Sequence, residues 1–308
     1  MFRLFSMTKP ITSVALLTLY EQGRFQLTDP LERALPAFRD VKVYAGTASD
    51  GHMILKPPAR PITLQDVFRH TAGFAYGGYF EDTPVDKADQ AAGVLYDPGS
   101  RWVYSFAHDV QAHLVETFSG TSFAEYCRRT IFEPLGMRDT VFGIPPERAA
   151  RFPIAYHSGA DGTLVAYRQD EDPYNRFTSH AFGGVSLSST GEDYLRFAQM
   201  LLNGGELNGR RILGRKTVEL MSSVALPAGT PYGTAGKSYG LGVEVLTDPA
   251  QAGNLGSPGS YGWPGLASTW FTIDPHEDLI AIVLTQYAPR DVPFDEEFKT
   301  LVYQALIR

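Results

Sequence analysis

Ser6 and Lys9 stand three positions apart at the head of an apolar run, in Phe5-Ser6-Met7-Thr8-Lys9-Pro10. On a helix, positions i and i+3 share a face, so the hydroxyl and the amine come within hydrogen-bonding reach. The pairing supplies what a serine lacks alone, a base close enough to take its proton as it attacks an electrophile. The same serine could instead cap the helix that follows. Tyr104, ahead of Ser105 and Phe106, sits at the mouth of another predicted helix. Taken alone it would simply fill the core with its tip hydrogen-bonded. His108 and His113 would suggest a metal only with further ligands at metal-binding spacing, and no His-Glu-x-x-His or cysteine cluster supplies them. The expectation is no metal and no organic cofactor.

These groups need elements to hold them. Val14, Ala15, Leu16, Leu17 and Leu19 predict a largely buried helix over 11–20, with Pro10 in its first turn and Gly23 as its stop. Its N-terminal N–H groups and positive dipole end would face whatever Ser6 attacks. Thr63-Leu64-Gln65-Asp66 reads as a capped start to a short helix closed by Gly73, with His70 a structural residue. Gly77, Gly78, Glu81 and Asp82 read as a flexible stretch before the turn at Asp97-Pro98-Gly99. Ser105 is placed to cap a helix carrying Val110, Leu114, Val115 and Phe118 and ending at Gly120. A helix over 122–131 follows, and another over 194–202 after Gly183-Gly184. Strands are predicted over 239–246, 266–273 and 279–286, the last two as a hairpin. A final amphipathic helix, 294–306, would lay Phe298, Leu301, Val302 and Leu306 on a sheet face.

The 308 residues suffice for one large or two ordinary domains, and the net charge of −7 argues against a nucleic-acid partner. With 44% hydrophobic and 20% charged residues the composition is globular. No apolar stretch approaches the roughly 20 residues of a membrane span. The single Cys127 precludes an intrachain disulfide and suits a reducing compartment, as a packed small hydrophobe. The first residues lack the pattern of a signal peptide, so a cytoplasmic location is expected.

Three separated pieces, Ser6-Met7-Thr8-Lys9, Tyr104-Ser105-Phe106 and Trp263-Pro264-Gly265, together resemble the class C β-lactamase superfamily of serine hydrolases. Within it the chain is most similar to family VIII carboxylesterases, in which a tryptophan- or histidine-led triplet ending in glycine replaces Lys-Thr-Gly. His70-Thr71-Ala72-Gly73, Phe132 to Met137, Gly183-Gly184, Tyr239 to Gly242 and Trp270 to Pro275 look like further landmarks. The resemblance implies an α+β fold, an antiparallel sheet flanked by helices (1–35 and 182–308) with a mainly helical second domain (36–181). It implies that Ser6 is acylated, that Lys9 and Tyr104 share the base role, and that Tyr104 returns a proton to the leaving alcohol. It places the oxyanion hole at the N–H groups of Ser6 and Leu266, with Phe106, Trp263 and Gly265 against the substrate. Gly265 would permit close backbone approach. Three departures stand out. Only five residues precede Ser6, so strands that such proteins carry before the serine are expected to be missing and a sheet edge left open. The stretch 79–96 is short, and Pro264 removes an N–H from its strand.

The resulting expectation is a serine carboxylesterase acting on a small-molecule ester of a short acyl group through an acyl-Ser6 intermediate. A β-lactamase or D-Ala-D-Ala peptidase using the same residues is the first alternative, and an inactive binding or scaffold protein of the same fold the second.

Overall fold

The computed structural model describes residues 1–76, 93–168, 172, 175 and 180–307. The predicted flexible stretch from Gly77 to Asp82, and most of the short stretch 79–96, lie outside them.

Helix α1 (Thr8–Glu21) is the axis of the molecule, buried at every residue from Thr8 to Leu19. No glycine interrupts it, Pro10 falls in its first turn, and Gly23 at φ 71° follows its end. Each buried Leu or Ile side chain contributes about 1.5–3 kcal/mol of apolar transfer. Its polar residues are spent as latches. Thr12 Oγ1 donates to the Gly183 carbonyl at 2.6 Å, Thr8 Oγ1 accepts the Leu187 N–H at 3.1 Å, and Thr18 Oγ1 meets the Tyr126 hydroxyl at 2.8 Å. Against α1 packs α2 (Ala107–Ser119), closed by Gly120 at φ 71°. Ser105 does not cap α2 as the sequence predicts: its Oγ lies 3.0 Å from His70 Nδ1, and Phe106 occupies the N-cap position. Thr63 and Asp66 do form a reciprocal capping box, but that helix runs only Leu64–Phe68, because His70 turns left-handed at φ 57° before Gly73 is reached.

Helix α3 (Gly191–Leu202) starts at the Thr190 cap and leads to the five-stranded antiparallel sheet. Its strands, in both chain and spatial order, are β1 (Lys237–Tyr239), β2 (Glu244–Leu246), β3 (Tyr261–Pro264), β4 (Trp270–Asp274) and β5 (Leu279–Val283). The single strand predicted over 239–246 is therefore a tight hairpin, with Gly242 at φ 95° in its turn. The strand predicted over 266–273 starts only at Trp270, and Leu266 lies in the preceding turn. Pro264 pairs with Trp270 at the very end of β3, where its missing N–H costs least.

Side chains alternate faces along a strand, so two neighbours on β4 report both sides of the sheet. Phe271 meets Tyr194 of α3, centroids 5.0 Å apart, while Trp270 meets Phe298 of α4 (Phe294–Tyr303) at 6.4 Å. The sheet lies between the two helices, with β5 at one edge, half-buried. This is an α+β fold. Helix α4 reverses one expectation: Asp295 and Lys299 are buried, whereas Leu301 and Leu306 face out. The segment between α1 and α3 also carries strands, among them Lys42–Thr47 paired with Met53–Lys56 and the hairpin Tyr156–Ser158 with Leu164–Ala166.

The first residues close the molecule. Phe2–Arg3 pairs antiparallel with Leu187–Ser189, which also pairs with Val141–Phe142. The Arg3 backbone exchanges two hydrogen bonds with the Gln286 amide, at 3.2 and 3.0 Å, and Thr269 Oγ1 donates to the Leu4 carbonyl at 3.1 Å. No helix among the described residues is long and apolar enough to cross a membrane.

Candidate active site

Ser6 sits in a 3-10 turn, Phe5–Met7, that runs directly into α1. It caps nothing; Met7 holds the N-cap position. Just before it, Phe5 adopts φ 48°, a left-handed conformation that costs a non-glycine residue about 1–3 kcal/mol. Packing against Leu266, Ala267 and Ala288 holds it there.

Two donors converge on Ser6 Oγ, Lys9 Nζ at 3.0 Å and the Tyr104 hydroxyl at 2.6 Å. Lys9 is fully buried, also donates to the Gly184 carbonyl at 2.9 Å, and lies 4.7 Å from the centre of the Tyr104 ring. The structure thus brings together three residues from positions 6, 9 and 104. It also brings Trp263, whose ring centroid is 5.4 Å from that of Tyr104.

The third motif meets the serine through backbone. A methyl added to Gly265 would collide with the Leu4 carbonyl and with Thr269 Oγ1, so only glycine lets the end of β3 come this close to the turn carrying Ser6. Leu266 follows, and neither its N–H nor that of Ser6 finds a backbone acceptor among the described residues. Phe106, two residues after Tyr104, has its ring stacked on Phe74, centroids 4.9 Å apart and planes at 18°.

Two histidines back the site without joining it. His70, 5.1 Å from the Tyr104 ring, and His108, whose Nε2 lies 3.2 Å from Ser13 Oγ, are both buried. Burial, then the charges around them, hold both imidazoles well below their ordinary pKa, so they stand neutral as packing residues. His113 is exposed beside Glu116. Among the described residues no group of three or more metal-ligating side chains forms. Cys127 is buried, with its thiol pKa pushed up by burial, the opposite of a reactive thiolate. Gly236-Lys237-Ser238-Tyr239-Gly240 spells Gly-x-Ser-x-Gly, the letters of a nucleophile elbow. Ser238 instead lies inside β1, buried and paired with Val245, not on a strand-to-helix turn.

Tyr76 and Asp109 carry no signal in the sequence, yet both reach the site. Tyr76 lies 5.2 Å from Tyr104, ring to ring, and burial, then the neighbouring Tyr104 and Asp109, push its pKa well above 10. Asp109 accepts the Gly184 N–H at 2.9 Å. Chain-wide spacing could not have found them, because what gathers them is the approach of the 183–184 backbone to α1 and α2.

The Beta-lactamase family profile matches residues 1–304. Protein Rv1367c of Mycobacterium tuberculosis is 32% identical over 94% of this chain and 78% of its own length. Esterase EstB of Burkholderia gladioli is 29% identical over the same shares, 94% and 78%. Among solved structures, simvastatin synthase (LovD) from Aspergillus terreus superposes with a TM-score of 0.87 at 25% identity, covering 99% of this chain and 84% of that one. With the family profile spanning nearly the whole chain, this chain belongs to the Beta-lactamase family.

Proposed function

We propose that the protein is a serine carboxylesterase that cleaves small-molecule esters of short acyl groups through an acyl-Ser6 intermediate. The observation that carries this reading is the convergence of Lys9 Nζ and the Tyr104 hydroxyl on Ser6 Oγ, within 3.0 and 2.6 Å. As Oγ attacks the ester carbonyl, its proton passes to the Lys9–Tyr104 pair. The carbonyl oxygen gains negative charge and is met by the N–H groups of Ser6 and Leu266; each such donor is typically worth about 10²–10³-fold in rate. Tyr104 hands a proton to the departing alcohol, and water then takes the acyl group by the reverse path. The similarity to EstB supports hydrolysis. A second reading, transfer of the acyl group to an alcohol instead of water, is favoured by the similarity to the ML-236A carboxylate methylbutanoyltransferase mlcH of Penicillium citrinum and uses the same intermediate.

The residue after Ser105 separates esters from lactams. In the lactamases this chain resembles, an asparagine at that position bonds the substrate amide; here it is Phe106. An amide desolvated without that bond loses about 1–3 kcal/mol, roughly 5- to 150-fold. The test measures kcat/KM for p-nitrophenyl butyrate and for a chromogenic cephalosporin, with fluorophosphonate labelling of the wild type and Ser6→Ala. The expected result is labelling at Ser6 alone, a marked preference for the ester, and a narrower gap in Phe106→Asn. Labelling that persists in Ser6→Ala, or a native preference for the cephalosporin, overturns the reading. Adding a primary alcohol and analysing products divides hydrolysis from transfer.

A further inference from the structure

Asp109 lies in the first turn of α2, half-buried, and the acyl chemistry above makes no use of it. Its Oδ1 accepts the Gly184 N–H at 2.9 Å. Gly184 faces two ways, because its carbonyl accepts Lys9 Nζ at 2.9 Å. Thr12 Oγ1 holds the Gly183 carbonyl at 2.6 Å, so the strap is fastened from both α1 and α2. Paired glycines make the approach possible: a methyl on Gly183 would collide with the His108 carbonyl. One on Gly184 would stand 3.0 Å from the Tyr76 hydroxyl and 3.4 Å from both Asp109 Oδ1 and Lys9 Nζ.

We propose that Asp109 is a positioning residue for acyl transfer, fixing the Gly183–Gly184 strap whose carbonyl in turn aims Lys9 Nζ at Ser6 Oγ. The proposal rests on the acyl-Ser6 reading and adds a residue to it. Burial raises the Asp109 carboxyl above the usual range, with the Lys9 charge and the Gly184 N–H pulling the other way. An ionised carboxylate is the stronger acceptor for that N–H, so the strap tightens as pH climbs through that ionisation. Among the described residues, the groups facing Asp109 are Lys9 from α1 and Tyr76 from the segment after Gly73, with Tyr104 beside Tyr76. His70, His108 and Tyr239 lie beyond them, the two imidazoles uncharged and the Tyr239 phenol pushed well above its ordinary range by burial.

The experiment compares Asp109→Asn, which keeps an acceptor but cannot ionise, with Asp109→Ala, which keeps neither. Both are assayed on p-nitrophenyl butyrate for kcat and KM across pH, with fluorophosphonate labelling of Ser6 alongside. Asparagine is expected to match the wild type at the acidic end and to fall about tenfold below it at the alkaline end, the difference between a charged and a neutral acceptor. KM should stay within about twofold, since substrate binding is not what the strap governs. Alanine is expected to lose about 10²-fold in kcat at every pH, the scale of a small misplacement of a reacting group. A constant ratio of asparagine variant to wild type across pH, or an alanine variant with wild-type kcat, overturns the proposal. If alanine does not fold, the asparagine profile decides. A wild type that fails to label at Ser6 overturns the acyl-enzyme reading and this proposal with it; normal labelling with a pH-independent ratio overturns this proposal alone.

Discussion

Among the described residues two lysines are buried, in two regions, and they are treated differently. Lys9 is fully buried at the head of α1, where it donates to Ser6 Oγ and to the Gly184 carbonyl and lies against the Tyr104 ring. Lys299, on α4, is 9% exposed and makes no hydrogen bond or ion pair with any described residue. Its Nζ lies 5.8 Å from the centre of the Tyr303 ring. Burial, then the charge of Lys237, hold its pKa below 10.5, while Glu244, Asp274 and Asp295 pull the other way. Burying an ammonium is costly unless it is bonded, and only Lys9 has the bonds. The contrast is between a lysine held by bonds to the Ser6 hydroxyl and the Gly184 carbonyl, the one proposed for chemistry, and one whose methylene stem covers a sheet face.

The largest break in that contrast is Lys9→Ala or Tyr104→Phe. Each is expected to lower kcat for p-nitrophenyl butyrate by about 10²–10⁴-fold, and the double variant by little more, because groups acting as a unit are not additive. Additive losses, read from steady-state rates, would assign the two side chains to separate steps. Lys299→Met is expected to leave kcat within about twofold, since nothing joins it to Ser6.

A smaller effect is expected from Gly184→Ala. The added methyl would stand 3.0 Å from the Tyr76 hydroxyl and 3.4 Å from Lys9 Nζ, so the strap must shift slightly to relieve the first contact, and kcat should fall by up to about tenfold, with KM nearly unchanged. An unaltered kcat would show that the strap yields without moving Lys9.

The smallest is a stability effect with a definite sign. Because the fold holds the Lys299 pKa below its unfolded value, the unfolded chain binds the extra proton between the two values. Stability therefore rises as pH climbs through that window towards 10.5, and Lys299→Met should remove the rise. Thermal melts should show the variant ahead of the wild type near pH 7 by a few degrees, roughly 1 kcal/mol, with the gap closing towards pH 10. A gap independent of pH would mean that Lys299 is charged alike in both states.

What could be read from the sequence was local. Ser6 with Lys9, the apolar run of α1 with Pro10 and Gly23 at its ends, and the Thr63–Asp66 box each depend on residues a few positions apart. What could not be read depends on long-range approach. Strand β3 contains Gly262 and Pro264 and gave no strand pattern, yet its pairing with β4 is what brings Gly265 to Leu4. Ser105 looked like a cap because nothing local revealed His70 waiting for its hydroxyl. The face of α4 was misjudged because apolar periodicity assumes that the apolar side goes in, and here Asp295, bonded to Arg290, is buried while Leu301 is exposed. Asp109 gave no local signal because its partner, the Gly184 N–H, stands 75 residues away in the chain.

The hydrogen bonds that seat the serine turn span the chain. Thr269 Oγ1 reaches the Leu4 carbonyl across 265 residues, and the Gln286 amide reaches Arg3 across 283. Synthesis delivers the N-terminal part first, so Ser6 and Lys9 emerge long before Tyr104 and longer still before Gly265. Contacts of such separation form slowly, since the loop must be closed before it is rewarded. On the proposed acyl-Ser6 chemistry, the nascent chain carries Ser6 for nearly the whole of translation without the backbone donors proposed to serve it. Activity at Ser6 would then report on the completed fold, appearing only when the last hairpin docks.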